Sequence, residues 1–410
     1  MRSKLDLRER AWYLPILFAI PALAIFGHYI DPEAQIFKGH NWGIIVTFIC
    51  LGVAGALWLP YRSQYKWGLV PTAVFLLLIG SWAYQLVSIQ LDGSLFAISA
   101  GAFALSILLI WTKPPKSDDL AVSGITLGLT ILMISIASLI FGEIGLLSNG
   151  FQVSDSGLNR LILTREFLGI ETRWGGPFGS VNIAAPAGGM LVILGLLYHQ
   201  WCRWIFILSG IGILALSQGR TAIIATSLSV IVFIAWSPII ARAGRPRLVR
   251  AAILVVTLTG AIGYVRIFDP TFALRTPIWE DFWQQFLTDP LTGVGESGIR
   301  QYLDALLLAE PERFPHNHAH SVLLDLLAKY GIVPALLLFV VYVLSIWATF
   351  KGIRNFGSPP FAIVIYVITV GLAETVYSLA YWSIHIAALL LAVMWVSLPI
   401  SESLNDSRSP

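Results

Sequence analysis

The stretch Gly331–Phe350, GIVPALLLFVVYVLSIWATF, contains no charged residue, and runs like it recur along the chain. About 20 apolar residues in a helix are enough to cross the hydrocarbon core of a bilayer. Lipid offers no water to satisfy backbone N–H and C=O groups, so runs of this kind form helices. A soluble domain carries about 25% charged residues to solvate its surface. This chain of 410 residues carries 12%, against 57% hydrophobic. The expected fold is therefore all-α: a polytopic integral membrane protein forming one membrane domain over residues 1–410. About twelve transmembrane helices are expected, at 11–27, 42–59, 67–89, 94–111, 120–141, 183–198, 202–218, 220–237, 249–266, 321–348, 358–376 and 379–399.

The pair 202–218 and 220–237 is joined by almost nothing, so one of the two is expected to be tilted or broken. The basic start MRSKLDLRER precedes an apolar run, as in a signal peptide. No small-residue cleavage site follows it, and it reads as an uncleaved first helix. Lys and Arg favour the cytoplasmic side of short loops. With the N-terminus inside, Arg242, Arg245, Arg247, Arg250, Lys351 and Arg354 fall on inner segments, and both termini are cytoplasmic. Two outer loops are then long, 142–182 and 267–320, while every inner loop is short. Six of the seven histidines also fall outside or near the outer face, leaving only His199 inside. Chemistry is expected on the extracytoplasmic side. A net charge of +3 with no polybasic tail argues against a nucleic-acid partner. Cys50 and Cys202, far apart and in or beside apolar segments, argue against a disulfide framework or a cysteine metal site.

The richest stretch is the second long loop, from Arg275 through PHNHAHSVLLDLLAKYG, Pro315–Gly331. His320 stands where an apolar helix begins, facing free N–H groups and the positive end of the dipole. That field favours a neutral imidazole, which can accept a proton as a general base. His316, His318 and His320 share a face if the segment is extended, which suits metal ligation as an alternative. No Cys or carboxylate joins them, so no metal is expected. Gly293-Val-Gly-Glu-Ser-Gly298 fits GxGxxG, but without a strand–helix unit the dinucleotide reading fails. A phosphate cradle or a tight turn that folds the loop back remains, the turn being the plainer reading.

Arg173, Arg220 and Arg275 oppose the orientation bias, and a guanidinium binds phosphate oxygens bidentately without losing its charge. Singly, each reads as a snorkelling interfacial side chain. Asp325 and Lys329, four residues apart in span 321–348, are expected to pair within the membrane. Glu374 and His385 stand near the outer ends of the last two spans, facing either the site or the headgroups. Trp174, Trp279 and Trp283 lie in the outer loops, where they can stack on sugar rings.

The order of these elements resembles the O-antigen ligase and O-antigen polymerase superfamily. An outer arginine, Arg220, heads a span; Arg275-x3-Trp279 follows, then Pro290 with Gly293 and Gly295, then His320-Ser321 with nine residues before Gly331. RWGGPFGSVN, Arg173–Asn182, resembles the family's segment before the sixth span. The resemblance implies a GT-C-like fold and a bacterial cytoplasmic-membrane glycosyltransferase that works without metal or other cofactor. It would move a glycan from an undecaprenyl-diphosphate-linked donor to a glycan or lipid-glycan acceptor. Catalytic roles fall to His320, Arg220 and Arg275. Arg173, Asn182, Trp279, Gly293, Gly295, His316 and His318 are expected to bind substrate. Ligase and polymerase remain open, as does a lipid-linked glycan flippase, which would need charged or broken helices at the midplane.

Overall fold

A computed structural model describes residues 15, 16, 19, 69–87, 117–143, 151–153, 172–175, 181–198, 202–237, 240, 270–310, 318–374 and 383–398. The expected spans 42–59, 94–111 and 249–266 lie outside these residues, and of 11–27 only Pro15, Ile16 and Ala19 are described, all helical. The chain runs α1 (Leu69–Val87), α2 (Ser117–Glu143), β1 (Phe151–Val153), β2 (Thr172–Trp174), α3 (Val181–Leu197), α4 (Cys202–Ser217) and α5 (Arg220–Ala235). It continues through α6 (Pro270–Thr288), α7 (Gly295–Ala309), α8 (Val322–Tyr330), α9 (Ile332–Phe356), α10 (Pro359–Ala373) and α11 (Ile384–Val396). Among the described residues the architecture is helical, with one small departure: β1 and β2 form an antiparallel ladder, Phe151 opposite Trp174 and Val153 opposite Thr172. Neither α4 nor α5 is broken; Gln218, at φ 52°, turns the chain between them.

α2 and α9 are long and apolar enough to cross a membrane, and six shorter apolar helices of 10–17 residues accompany them. The packing of α9 says what surrounds it. Val333, Leu336, Phe339, Val343, Ile346, Trp347 and Phe350 recur at three- and four-residue steps and are all exposed. Ala335, Leu338, Val341, Tyr342, Ser345 and Thr349 fill the opposite face and are buried. An apolar outer stripe this long is unfavourable in water but matches lipid. Trp204, Leu208 and Ile211 do the same on α4. By contrast, α3 is buried from Ala184 to Leu196 and α11 from Ile384 to Met394, so these two helices form the interior.

Close helix contact there depends on small residues. A Cβ on Gly188 of α3 would stand 2.7 Å from Ile213 Cγ2, and one on Gly210 of α4 would stand 2.5 Å from the Gly188 carbonyl. One end of the bundle is marked by interfacial side chains. Trp236, Phe350 and Phe361 stack edge to face, and Lys351 lies 4.1 Å from the Trp347 ring centroid. Ser358 Oγ donates to the Phe233 carbonyl, tying α10 to α5 at this same end.

The expected span 321–348 is corrected by the structure. It is two helices, α8 and α9, separated at Gly331, which has φ 81°. The reason is a backbone docking that leaves no room for a side chain. The turn after α6 lies directly against this break: Ile332 N–H donates to the Pro290 carbonyl and Val294 N–H to the Ala328 carbonyl. A Cβ on Gly331 would be 2.1 Å from the Leu291 carbonyl oxygen, and one on Gly293 would be 2.4 Å from Lys329 and Tyr330 backbone atoms. Hydrogen bonds from Thr292, side chain first and then backbone, close the turn on Asp289 and hold that exposed carboxyl below its ordinary range. The expected loop 267–320 is therefore structured as α6, a glycine turn and α7 over its described residues. Gly293 also has φ 70°, so Gly293→Ala combines strain with a clash and is expected to destabilise the protein by about 2 kcal/mol or more. Thermal unfolding of the purified variant in detergent measures this.

Candidate active site

At the end of the bundle away from Lys351 and Arg354, a single carboxylate gathers side chains from separate elements. Arg275 and Trp279 are one turn apart on α6 and so share a face. Arg275 Nη2 lies 2.8 Å from Glu374 Oε1 and 3.5 Å from Thr221 Oγ1, while Nη1 donates to the Ala373 carbonyl. Ala373 and Glu374 close α10, where unpaired carbonyls and the negative end of the dipole favour a cation. Thr221 follows Arg220, the first residue of α5, which brings the head of that helix to the same place. The other carboxylate oxygen, Glu374 Oε2, is 3.2 Å from His320 Nδ1. His320 and Glu374 are both buried.

His320 reaches this position through an unusual backbone. Its φ is 50°, in the left-handed region that only a few non-glycine residues adopt. The segment before α8 is tied on both sides to hold it. Trp279 Nε1 donates 2.8 Å to the Ala319 carbonyl, and Ala319 N–H donates to Asp325 Oδ1 at 3.1 Å. Asp325 in turn pairs with Lys329 at 3.1 Å, and Lys329 lies 3.6 Å from Glu296 at the start of α7. Asp325 and Lys329 do pair, but in α8, not in the long apolar helix where they were expected. The His318 ring meets that of His320 edge to face at 4.4 Å.

His320 stands just before α8, as expected, and the Glu374 carboxylate from α10 also meets its ring. A carboxylate accepts only, so Nδ1 is the donor and Nε2 is left as the basic nitrogen. Beside this cluster, Thr276, Trp279, Glu280, Trp283, Gln284 and Ser321 line a cleft of about 470 Å³. Among the described residues, no three or more His, Cys, Asp or Glu side chains are grouped to hold a metal.

The sequence-expected residues thus divide. Arg275, Trp279, His318 and His320 come together, with Arg220 at the same end. Gly293 lies in the docking turn, and its N–H donates to the Asp289 carbonyl; Gly295 opens α7 at φ 74°. Their surroundings fit the turn reading better than a phosphate cradle. Arg173 pairs through its backbone with Gln152 in the ladder, and Asn182 stands in the first turn of α3. His316 lies outside the described residues. Trp174 is fully buried against the core, so the sugar-stacking reading does not hold for it, whereas Trp283 is exposed. Glu374 was underweighted by sequence reasoning, although a carboxylate ending an apolar span needs partners.

Removing one member of the Asp325–Lys329 pair leaves a buried charge unmatched, at a cost of about 3–5 kcal/mol. Lys329→Met is therefore expected to lower the melting temperature sharply. Adding Asp325→Asn should recover part of the loss, because Asn keeps an acceptor for the Ala319 N–H. Thermal unfolding of both variants measures the difference.

The chain has relatives at the level of a family. No curated protein matches it. Residues 204–340 match the family model described as O-antigen ligase, a segment that contains Arg220, Arg275 and His320. Over this segment, about a third of its length, the chain is similar to the O-antigen ligase family.

Proposed function

We propose that the protein transfers a glycan from undecaprenyl diphosphate to an acceptor hydroxyl at the outer face of the bacterial cytoplasmic membrane, as an O-antigen ligase does. The observation that carries this reading is the meeting of Arg275 and His320 at one buried carboxylate, inside the segment that matches the family. A diphosphate is already a good leaving group, so the reaction needs charge stabilisation and a base. Arg275 and Arg220 supply the first, since guanidinium groups bind phosphate oxygens as charge develops on them. His320 Nε2 supplies the second. It takes the acceptor's hydroxyl proton, the oxygen forms a bond to the anomeric carbon, and the bond to the diphosphate breaks, releasing undecaprenyl diphosphate. Direct displacement inverts the anomeric centre, and no step in it requires a metal.

The cleft beside His320 suits a sugar: indole rings of Trp279 and Trp283 offer apolar faces, and Glu280 and Gln284 offer hydrogen bonds for hydroxyls. His318, Arg173 and Asn182 are assigned supporting contacts to the glycan. The same reading takes the twelve spans, a GT-C-like fold, cytoplasmic termini and outer loops at 142–182 and 267–320. Polymerisation uses the same chemistry with a growing chain as acceptor. A flippase reading would draw on Asp325, Lys329 and the break at Gly331, whereas the meeting of Arg275 and His320 at Glu374 favours transfer.

Removal of the general base is expected to slow transfer by about 10²-fold or more. His320→Ala, purified and given undecaprenyl-diphosphate-linked oligosaccharide and acceptor, tests this. Full transfer by the variant would overturn the assignment. With the wild type, one discrete product identifies a ligase and a ladder a polymerase.

A further inference from the structure

We propose that Glu374 is a positioning residue that hands over from Arg275 to His320 when the donor's diphosphate binds, so that the base is set only on a loaded enzyme. This rests on the glycan-transfer reading above. A guanidinium offers two bidentate edges, one between its terminal nitrogens and one between Nε and Nη2, and both include Nη2. In this structure Nη2 is given to Glu374 Oε1 and lies near Thr221 Oγ1. Nη2 carries one N–H on each edge, so a diphosphate that engages Arg275 through the edge whose hydrogen Glu374 holds competes with Glu374 for it.

The displaced carboxylate has somewhere to go. Glu374 is buried, and an unpaired buried carboxylate is strongly unfavourable. Its second oxygen already faces His320 Nδ1, at 3.2 Å, longer than the 2.8 Å contact to Arg275. Once the phosphate oxygens neutralise Arg275, the whole carboxylate charge falls to the imidazole. Nδ1–H is then held firmly as the donor, Nε2 is aimed as the acceptor, and the imidazolium formed on proton uptake is paired as it appears. Before donor binding, the same carboxylate is shared between the Arg275 guanidinium and the imidazole Nδ1–H. The device orders the reaction: the lipid diphosphate first, activation of the acceptor hydroxyl second. His318, packed edge to face on His320, limits how far the ring can turn during the exchange.

A residue that merely supports the fold would impair donor binding and turnover together. The hand-over predicts opposite signs. In purified full-length Glu374→Gln, Arg275 is released from its competitor, so undecaprenyl diphosphate is expected to bind about threefold tighter or more, with donor KM falling alongside. The kcat is expected to fall about 10²-fold, because the imidazole loses the charge that orients it. Weaker binding of undecaprenyl diphosphate by the variant, or an unchanged kcat, would overturn the proposal. A second measurement needs no variant of Glu374. In the ¹⁵N-histidine-labelled wild type, undecaprenyl diphosphate is expected to move the His320 Nδ1–H proton resonance downfield as its bond to Glu374 shortens. That signal is identified by its loss in His320→Ala, and no movement on binding would contradict the hand-over. Absence of any glycan transfer by the wild type would instead sink the glycan-transfer reading itself.

Discussion

A buried carboxylate at the end of α10 holds this end of the bundle together. Glu374 lies where an apolar helix stops, and burial of its charge is tolerable only because Arg275 and His320 reach it from two other elements. The consequences run outward from that contact. Arg275 fixes α6 against the end of α10 and the start of α5 through Ala373 and Thr221. One turn on, Trp279 fixes the same helix to the segment that carries His320. The side chains suited to diphosphate and to proton transfer are thereby brought within reach of one another, at the boundary where a lipid-linked sugar would present both.

The platform beneath this contact is made of backbone. Gly293 and Gly331 let the turn after α6 lie against the break between α8 and α9 with no side chain between them. The break gives α8 its own direction, and α8 carries the Asp325–Lys329 pair that anchors Ala319 beside His320. Strain at His320, with φ 50°, is held by these ties. Below it, α9 faces lipid with one stripe and the core with the other, so the site sits on a helix whose position the bilayer and the interior both constrain.

Much of the helical frame could be read from hydropathy, because lipid leaves few alternatives to a helix for a long apolar run. The separation of α8 from α9 could not. Val322–Tyr330, apolar apart from Asp325 and Lys329, runs straight into the apolar Ile332–Phe350, and Gly331 alone does not reveal that another backbone lies 2.1 Å from where its Cβ would be. Arg275, Trp279 and His320 were legible because arginine at an outer edge and histidine at a helix start each need a reason. For Glu374 the sequence leaves open whether it faces the site or the headgroups, since its partners are distant in sequence. Trp174 misled: a tryptophan in an outer loop looks exposed, yet the ladder of β1 and β2 turns it into the core. The helix start at His320 could be read locally, whereas the carboxylate that meets it comes from α10, 54 residues away.

Glycan transfer and lipid translocation are separated most directly by following both halves of the donor. The wild-type protein in vesicles would receive undecaprenyl-diphosphate-linked oligosaccharide and an acceptor glycan, with both the glycan and the lipid products identified by mass. Transfer predicts a new glycosidic bond and one undecaprenyl diphosphate released for each glycan moved. Intact lipid-linked oligosaccharide recovered on the other side of the vesicle, with no larger glycan formed, would contradict it.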